Sequence, residues 1–347
     1  MPQLRRARSA VTLKDVADRV GVTAAAASMA LAGHGRISDR TRAAVRQAAD
    51  ELGYVPSSAG RALRRQRSGA VALIVPNTSH HVFGHSYFMH VLTGLSAAAN
   101  AHGAQVIVST NADEAGGIGA YERVMRSRSA DGAIVTSAAI GDPHLEALVG
   151  LGLPVVLIGN FPYLADAVSV GIDDVAATEQ ITGHLIDGHG RTHLVHVTGP
   201  LDHQTGLDRR DGFLRAVRSR GLGASARIIT GDFSEKTGAD AIRTLLASGT
   251  RFDGVVFAND DMAFGGLQVL KGASVSVPYD VALAGFDDFG LARLTTPGIT
   301  TVSVPAEEMA RLATERLFTL IDGAAPAAPS RRQLPVTVTI RQSCGCR

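Results

Sequence analysis

Seven short apolar runs, separated by helix-favouring stretches, confine most of this chain to a narrow set of folds. They are AVALIVP (70–76), AQVIVS (104–109), GAIVTS (132–137), PVVLIG (154–159), HLVHVTG (193–199), GVVFAN (254–259) and VALAGF (281–286). Continuous Val/Ile/Leu runs, rather than alternating ones, mark strands covered on both faces, and their interleaving with helices predicts parallel sheets. This many strands calls for two sheets, so the expected body is α/β, built of two doubly wound lobes. Ligands in such folds sit beyond the carboxyl ends of the strands, here in the cleft between the lobes.

The first 67 residues have a different character. They hold 13 Lys+Arg against 5 Asp+Glu, whereas the remaining 280 hold 21 against 27. A compact cationic module on a mildly acidic body is the footprint of a polyanion-binding head. Its helices can be read directly. Thr12 is an N-cap, and Leu13, Val16, Ala17 and Val20 follow at the spacing of one buried helical face. Gly21 ends that helix, and Thr23 caps a second over 24–32 (AAAASMALA). A third begins at Ser38, buries Val45, Ala48, Ala49 and Leu52, and ends at Gly53. Two short helices across a tight glycine turn, with a third in support, make a helix-turn-helix unit. Pro56 then breaks the chain, and Ser57–Arg65 offers one or two further turns, too few to be stable alone in water. That segment reads as an order–disorder hinge whose Arg61, Arg64, Arg65 and Arg67 neutralise phosphates.

The stretch Val11–Leu63, with VTLKDVADRVGVT, SMAL and RISDRTRAAVRQAADELGYVPSSAGRAL, closely resembles the DNA-binding headpiece of the LacI family of transcriptional regulators. The resemblance implies that the second helix lies in the major groove and the hinge in the minor groove. It places Thr23, Ala24, Ala25, Ser28 and Met29 towards the bases, with Thr12, Leu13, Arg36, Ser38 and Tyr54 supporting base and phosphate contacts. Leu63 becomes an apolar wedge between base steps, with Gly60 and Arg61 beside it. Family members often carry long polar side chains where Ala24 and Ala25 stand, and arginine at Met29. Alanine offers only apolar contact, so direct readout from this helix should be thin, with more specificity from flanking residues, the hinge and DNA shape.

The body's phrases SYFMHVLTGL, R-x-x-GF at Arg209–Phe213, ANDDMAFGGL, VPYDVALAGFDD and TTPGITTV resemble the family's effector domain, built like periplasmic sugar-binding proteins. The implied division is a headpiece at 1–56, a hinge helix and linker at 57–69, and an effector domain at 70–347. Within the last, lobe one would take about 70–168 plus 297–325, and lobe two about 169–296 plus 326–347. Position by position, the resemblance implies effector contacts from Tyr87, Phe88, Asn160, His203, Thr205, Arg209, Phe233, Asn259 and Asp287. The loop Gly199–Arg209 is close to that of the purine-binding member. An aspartate common after the fourth apolar run is replaced here by Gly159 and Asn160. Structural alternatives stand beside these: Asp287 as a helix cap, Phe233 as core.

Other classes find little support. The chain has no GxSxG elbow, HExxH or Walker loop, and AGGIGAYE (115–122) lacks a third glycine, so no enzyme and no cofactor are expected. Histidines 80, 81, 85 and 90 match no metal spacing and read as a polar loop beside the cleft, and no metal site is expected. The Cys-x-Cys of Cys344 and Cys346 could bind metal or form a disulfide, but reads first as reduced thiols of a cytoplasmic protein. No apolar run approaches the ~18 residues of a membrane span, and the arginine-rich start is no secretory signal. The expected partners are therefore double-stranded operator DNA, a sugar or purine/nucleoside-like effector, and a second copy of the chain in a homodimer. The expected role is a ligand-responsive repressor; the alternative is a solute-binding protein of a transport system.

Overall fold

The computed structural model describes residues 11–33, 37–54, 67–112, 118–164, 166–325 and 328–346. The chain divides into two compact units, Met1–Ser68 and Gly69–Arg347.

In the first unit, α1 (Leu13–Val20), α2 (Ala24–Ala32) and α3 (Asp39–Leu52) begin on Thr12, Thr23 and Ser38, whose hydroxyls accept from the Asp15, Ala26 and Thr41 amides. Thr12 forms a reciprocal box: its own N–H donates to the Asp15 carboxylate at 2.8 Å, so two orphan amides of the first turn are satisfied together. Gly21, Gly33 and Gly53 end the three helices in the left-handed region. Val16, Ala17, Ala27, Ala30, Val45, Ala48 and Ala49 form the core, as the periodicity predicts, with Leu13, Val20, Leu52 and Tyr54 against its edge.

In the second unit, β1 (Ala70–Thr78), β2 (Gln105–Asn111), β3 (Gly132–Thr136), β4 (Val155–Ile158), β5 (Val168–Gly171) and β11 (Arg331–Gln333) form a six-stranded parallel sheet, ordered β11-β5-β4-β3-β1-β2. Alternate residues of β1 enter different cores. Val71, Leu73 and Val75 meet Phe88, Val91 and Leu95 of α4 (Ser86–Ala101). Ala72 and Ile74 meet Ala120 and Tyr121 of α5 (Ile118–Ser127) and Leu145 and Leu148 of α6 (Pro143–Gly150). A second parallel sheet, ordered β7-β6-β8-β9, contains β6 (Leu194–Thr198), β7 (Arg227–Thr230), β8 (Gly254–Phe257) and β9 (Ala282–Ala284). It is covered by α7 (Asp174–Gly183) and α8 (Gln204–Ser219) on one side and by α9 (Glu235–Ala247) and α10 (Asp260–Gly272) on the other. The two doubly wound lobes are thus as expected.

Three segments link the sheets: 171–174, 303–306 and 333–337. Two of them are braced by a short antiparallel pair, β10 (Thr301–Ser303) with β12 (Thr337–Thr339). The helix α11 (Ala306–Ile321) returns to α4 and the first sheet. Here the expected lobe boundaries need correction. Ser169–Gly171 continues the strand that Val168 begins beside β4, and Arg331–Gln333 pairs with it, so both belong to the first sheet and not to lobe two. These strands are short, and Arg331–Gln333 is polar, so neither shows as an apolar run.

Candidate functional site

Between the two sheets lies a cleft with about 940 Å³ of space free of protein atoms, its open mouth included, within the range of small-molecule sites. All nine expected effector residues line it, at sequence separations of up to 200 positions: Tyr87, Phe88, Asn160, His203, Thr205, Arg209, Phe233, Asn259 and Asp287. Sequence reading missed Asp174 and Asp261, which also line it, together with Thr136, Ser137, Gln204 and Phe161; His85, from the expected cleft-side loop, lines it too. Asp174 stands at the first turn of α7 and Asp261 at that of α10, where acidic residues are so common on helical grounds alone that nothing marks them out.

Arg209 organises the cleft. Its Nε donates to Asp174 Oδ1 at 2.8 Å, and its Nη1 donates to the Ala258 carbonyl and lies 3.5 Å from Asp287 Oδ1. The guanidinium carbon lies 3.7 Å from the centroid of the Phe286 ring. Burial opposes its charge, but Asp174 and Asp287 more than offset this and raise its pKa. The carboxylates fare differently. Burial raises the pKa of Asp174 despite its arginine partner. Asp287 is pushed up to about 7, first by burial and then by Asp261 and Asp174, against the pull of Arg209 and His85. One guanidinium is shared by more acid than it can neutralise.

The remaining polar groups are held in place. Tyr87 Oη lies 3.2 Å from Thr136 Oγ1, and loss of hydration pushes the phenol up to about 12. His85 Nδ1 lies 3.2 Å from Asp261 Oδ2. Asn160 donates to Asp208 at 2.8 Å, and Gln204 donates to the other oxygen of that carboxylate at 2.7 Å. Asn259 has less freedom than expected of a ligand residue. Its Oδ1 caps α10 through the Met262 amide, and its Nδ2 donates to the Phe233 carbonyl. Phe233 is half-buried at φ +69°, and its ring lies so close on Gly199 that a Cβ there would enter the ring. Asp287 caps no helix; its amide donates to the Val302 carbonyl, and its carbonyl accepts from Val304.

Of the four histidines after the first strand, the two with described side chains part company. His85 faces Asp261, whereas His90 bonds Glu307 at 2.6 Å and stacks on Phe289; the side chains of His80 and His81 lie outside the described residues.

On the head, Ala24, Ala25 and Met29 are exposed on α2, with Thr23 at its start. Ser28 differs: it is buried, and its hydroxyl has no partner among the described residues. The hydroxyls of Thr12, Thr23 and Ser38 serve as helix caps. Arg36, Gly60, Arg61, Leu63 and Arg64 lie outside the described residues, as does the expected hinge at 57–65.

Residues 12–57 match the family model described as Bacterial regulatory proteins, lacI family, and residues 182–344 match that of the Periplasmic binding protein-like domain. Over 316 residues the chain is 33% identical to the HTH-type transcriptional regulator CelR of Thermobifida fusca, an alignment covering 88% of this chain and 92% of the relative. The chain belongs to the LacI family. Members of the LacI family are helix-turn-helix transcriptional regulators, not enzymes, and this protein is one of them. The ribose operon repressor of Escherichia coli (strain K12) is 29% identical over 310 residues, covering 88% of this chain and 92% of the repressor. Among solved structures, a CelR–cellobiose complex superposes with a TM-score of 0.71 at 29% identity, covering 96% of this chain and 99% of that one. A lac repressor dimer bound to operator and an anti-inducer reaches 0.86 at 21% identity, with 97% and 99% coverage, and shows the shared fold. No described helix is long and apolar enough to cross a membrane.

Proposed function

We propose that this regulator is a cytoplasmic homodimeric repressor that binds a pseudo-palindromic operator and is controlled by a neutral sugar in the inter-lobe cleft. The observation that carries the reading is the acid of the cleft: Asp174 and Asp287 share one buried arginine, and Asp261, beside His85, adds a third carboxyl. Such a site repels sugar phosphates and sugar acids, whereas hydroxyl donors relieve its surplus of acceptors. Phe233, Tyr87 and Phe88 supply apolar faces for the ring, an arrangement suited to a carbohydrate's alternating C–H and O–H surfaces. The cellobiose complex of CelR supports the same class.

On DNA, the exposed face of α2 carries Ala24, Ala25 and Met29 and so few hydrogen-bonding groups that base selection rests on apolar contact and DNA shape. Two heads related by the dimer axis would then supply what one lacks.

A thermal-shift panel of neutral mono- and disaccharides, sugar acids, sugar phosphates and purine bases tests the effector class. A neutral sugar should raise the melting temperature by mass action, and Arg209→Ala should remove the rise. A rise confined to anionic sugars or to purines would overturn the assignment.

A further inference from the structure

Far from the cleft mouth along α7, two sequence-distant pairs converge. Past Gly183, the α-helix widens into a π-helical turn over His184–Gly188. Residues five apart, which diverge on an α-helix, are brought towards one face by such a turn. The result is that His184 Nε2 and His189 Nε2 lie 3.3 Å apart. Cys344 and Cys346 arrive from the other end of the chain, after β12. His184 Nε2 lies 3.3 Å from Cys344 Sγ and 3.8 Å from Cys346 Sγ, and His189 Nε2 lies 3.3 Å from Cys346 Sγ. All four atoms fall within 4.8 Å of one another.

We propose that His184, His189, Cys344 and Cys346 form a tetrahedral zinc site that fastens the chain's last segment to the second lobe. With bonds of ~2.0–2.1 Å to nitrogen and ~2.3 Å to sulfur, zinc holds its ligand atoms about 3.3–3.8 Å apart. The four separations given above span that interval. Hydrogen bonding accounts for them poorly. An imidazole Nε2 has one hydrogen or one lone pair, yet His184 Nε2 is faced by three heteroatoms at once. A central cation serves all of them. Two thiolates with two imidazoles form a soft, neutral-overall set for Zn²⁺.

The backbone is shaped for the convergence. Gly345, at φ +112°, lets the chain turn between the two cysteines, and a Cβ there would press on the His189 ring at 3.0 Å. The segment is already anchored just before the cluster's buried thiol. Ser343 Oγ donates to the Leu283 carbonyl at 2.6 Å, and Cys344 is fully buried. In the sequence the Cys-x-Cys pair alone admits a metal or a disulfide, but nothing there joins it to His184 and His189, some 155 residues away.

The test uses the full chain, purified and kept under a thiol-free reductant. Elemental analysis should find one zinc per chain. Exchange for cobalt(II) should give the visible bands of tetrahedral cobalt and a near-ultraviolet thiolate charge-transfer band. Cys346→Ser and His189→Gln, both at partly exposed positions, should lose stoichiometric metal while keeping a wild-type far-ultraviolet circular dichroism spectrum. A chelator should lower the melting temperature of the wild type and leave both variants unmoved. The proposal fails if the reduced wild type gives no thiolate–cobalt band, or if the two variants bind cobalt as the wild type does. It also fails if Cys344 and Cys346 remain joined as a disulfide under the reductant.

Discussion

Asp287 and Asp288 adopt φ values of +111° and +61°, a region that non-glycine residues enter at a cost of about 1–3 kcal/mol and mostly where function requires it. Asp287 adds an electrostatic cost to this, because its carboxyl is pushed up to about 7, mainly by burial. The native state therefore holds that proton more tightly than the unfolded chain. Its contribution is fully present below the unfolded value near 4 and is lost as pH rises through about 7. Asp287→Asn should accordingly gain stability relative to wild type between those values and hold the gain above them, as melting temperatures measured from pH 4 to pH 8.5 will show. A difference that is flat with pH would contradict the shift. Gly199 tests the cleft wall. Gly199→Ala should displace the Phe233 ring and weaken sugar binding at least tenfold, a loss measurable by calorimetry. Most of this site could be read from the sequence because its residues sit inside phrases whose order resembles the LacI family. What could not be read was the sharing of one arginine among several acids, since Asp174 and Asp261 look like ordinary first-turn residues. Nor could the sequence show that Asn259 gives both ends of its amide to the backbone.

At the level of elements, the seven continuous apolar runs mark seven of the strands, because strands covered on both faces leave no room for polar residues. The five strands that escaped notice are β5, β7, β10, β11 and β12. Each has only three or four residues, and β7 (RIIT) is largely exposed. Their pairing is dictated by the crossovers and not by local composition, which is why the lobe boundaries were misplaced. The head was read more accurately, since caps and glycine stops are local chemistry. A contact between helices offers the sharper test. Gly94 in α4 meets the backbone of Glu307 in α11, so closely that a Cβ would clash with the Glu307 carbonyl oxygen. The His90–Glu307 bond spans the same junction. Gly94→Ala should cost about 1–3 kcal/mol, as overfilling a tight contact does, and should lower the urea midpoint. An unchanged midpoint would mean that the helices part freely.

For the whole molecule, the question is how occupancy of the cleft reaches the segments that join the lobes. Asp287 lines the cleft, and its backbone is bonded on both sides of Ser303, to Val302 and Val304. Its neighbour Asp288 accepts from Ser303 Oγ at 2.6 Å and from Arg341 Nη2 at 2.6 Å, just beyond β12. Two of the three connections between the lobes are thus tied to the dipeptide that a ligand would touch. A sugar that draws the lobes together must work against or along these ties, so the closed and open states differ in free energy by an amount the ligand controls. Because operator and sugar bind one protein, linkage requires each to change the other's affinity by one common factor, expected to be about 5–150-fold. Arg209→Ala and Asp287→Ala should erase that factor while leaving operator affinity without sugar at its wild-type value, because neither residue belongs to the headpiece. Gel-shift titrations of wild type and both variants, with and without the sugar identified in the thermal-shift panel, provide the measurement. Should both variants respond as wild type does, the coupling does not pass through Arg209 and Asp287, and the tie from the cleft to the crossovers is not the route.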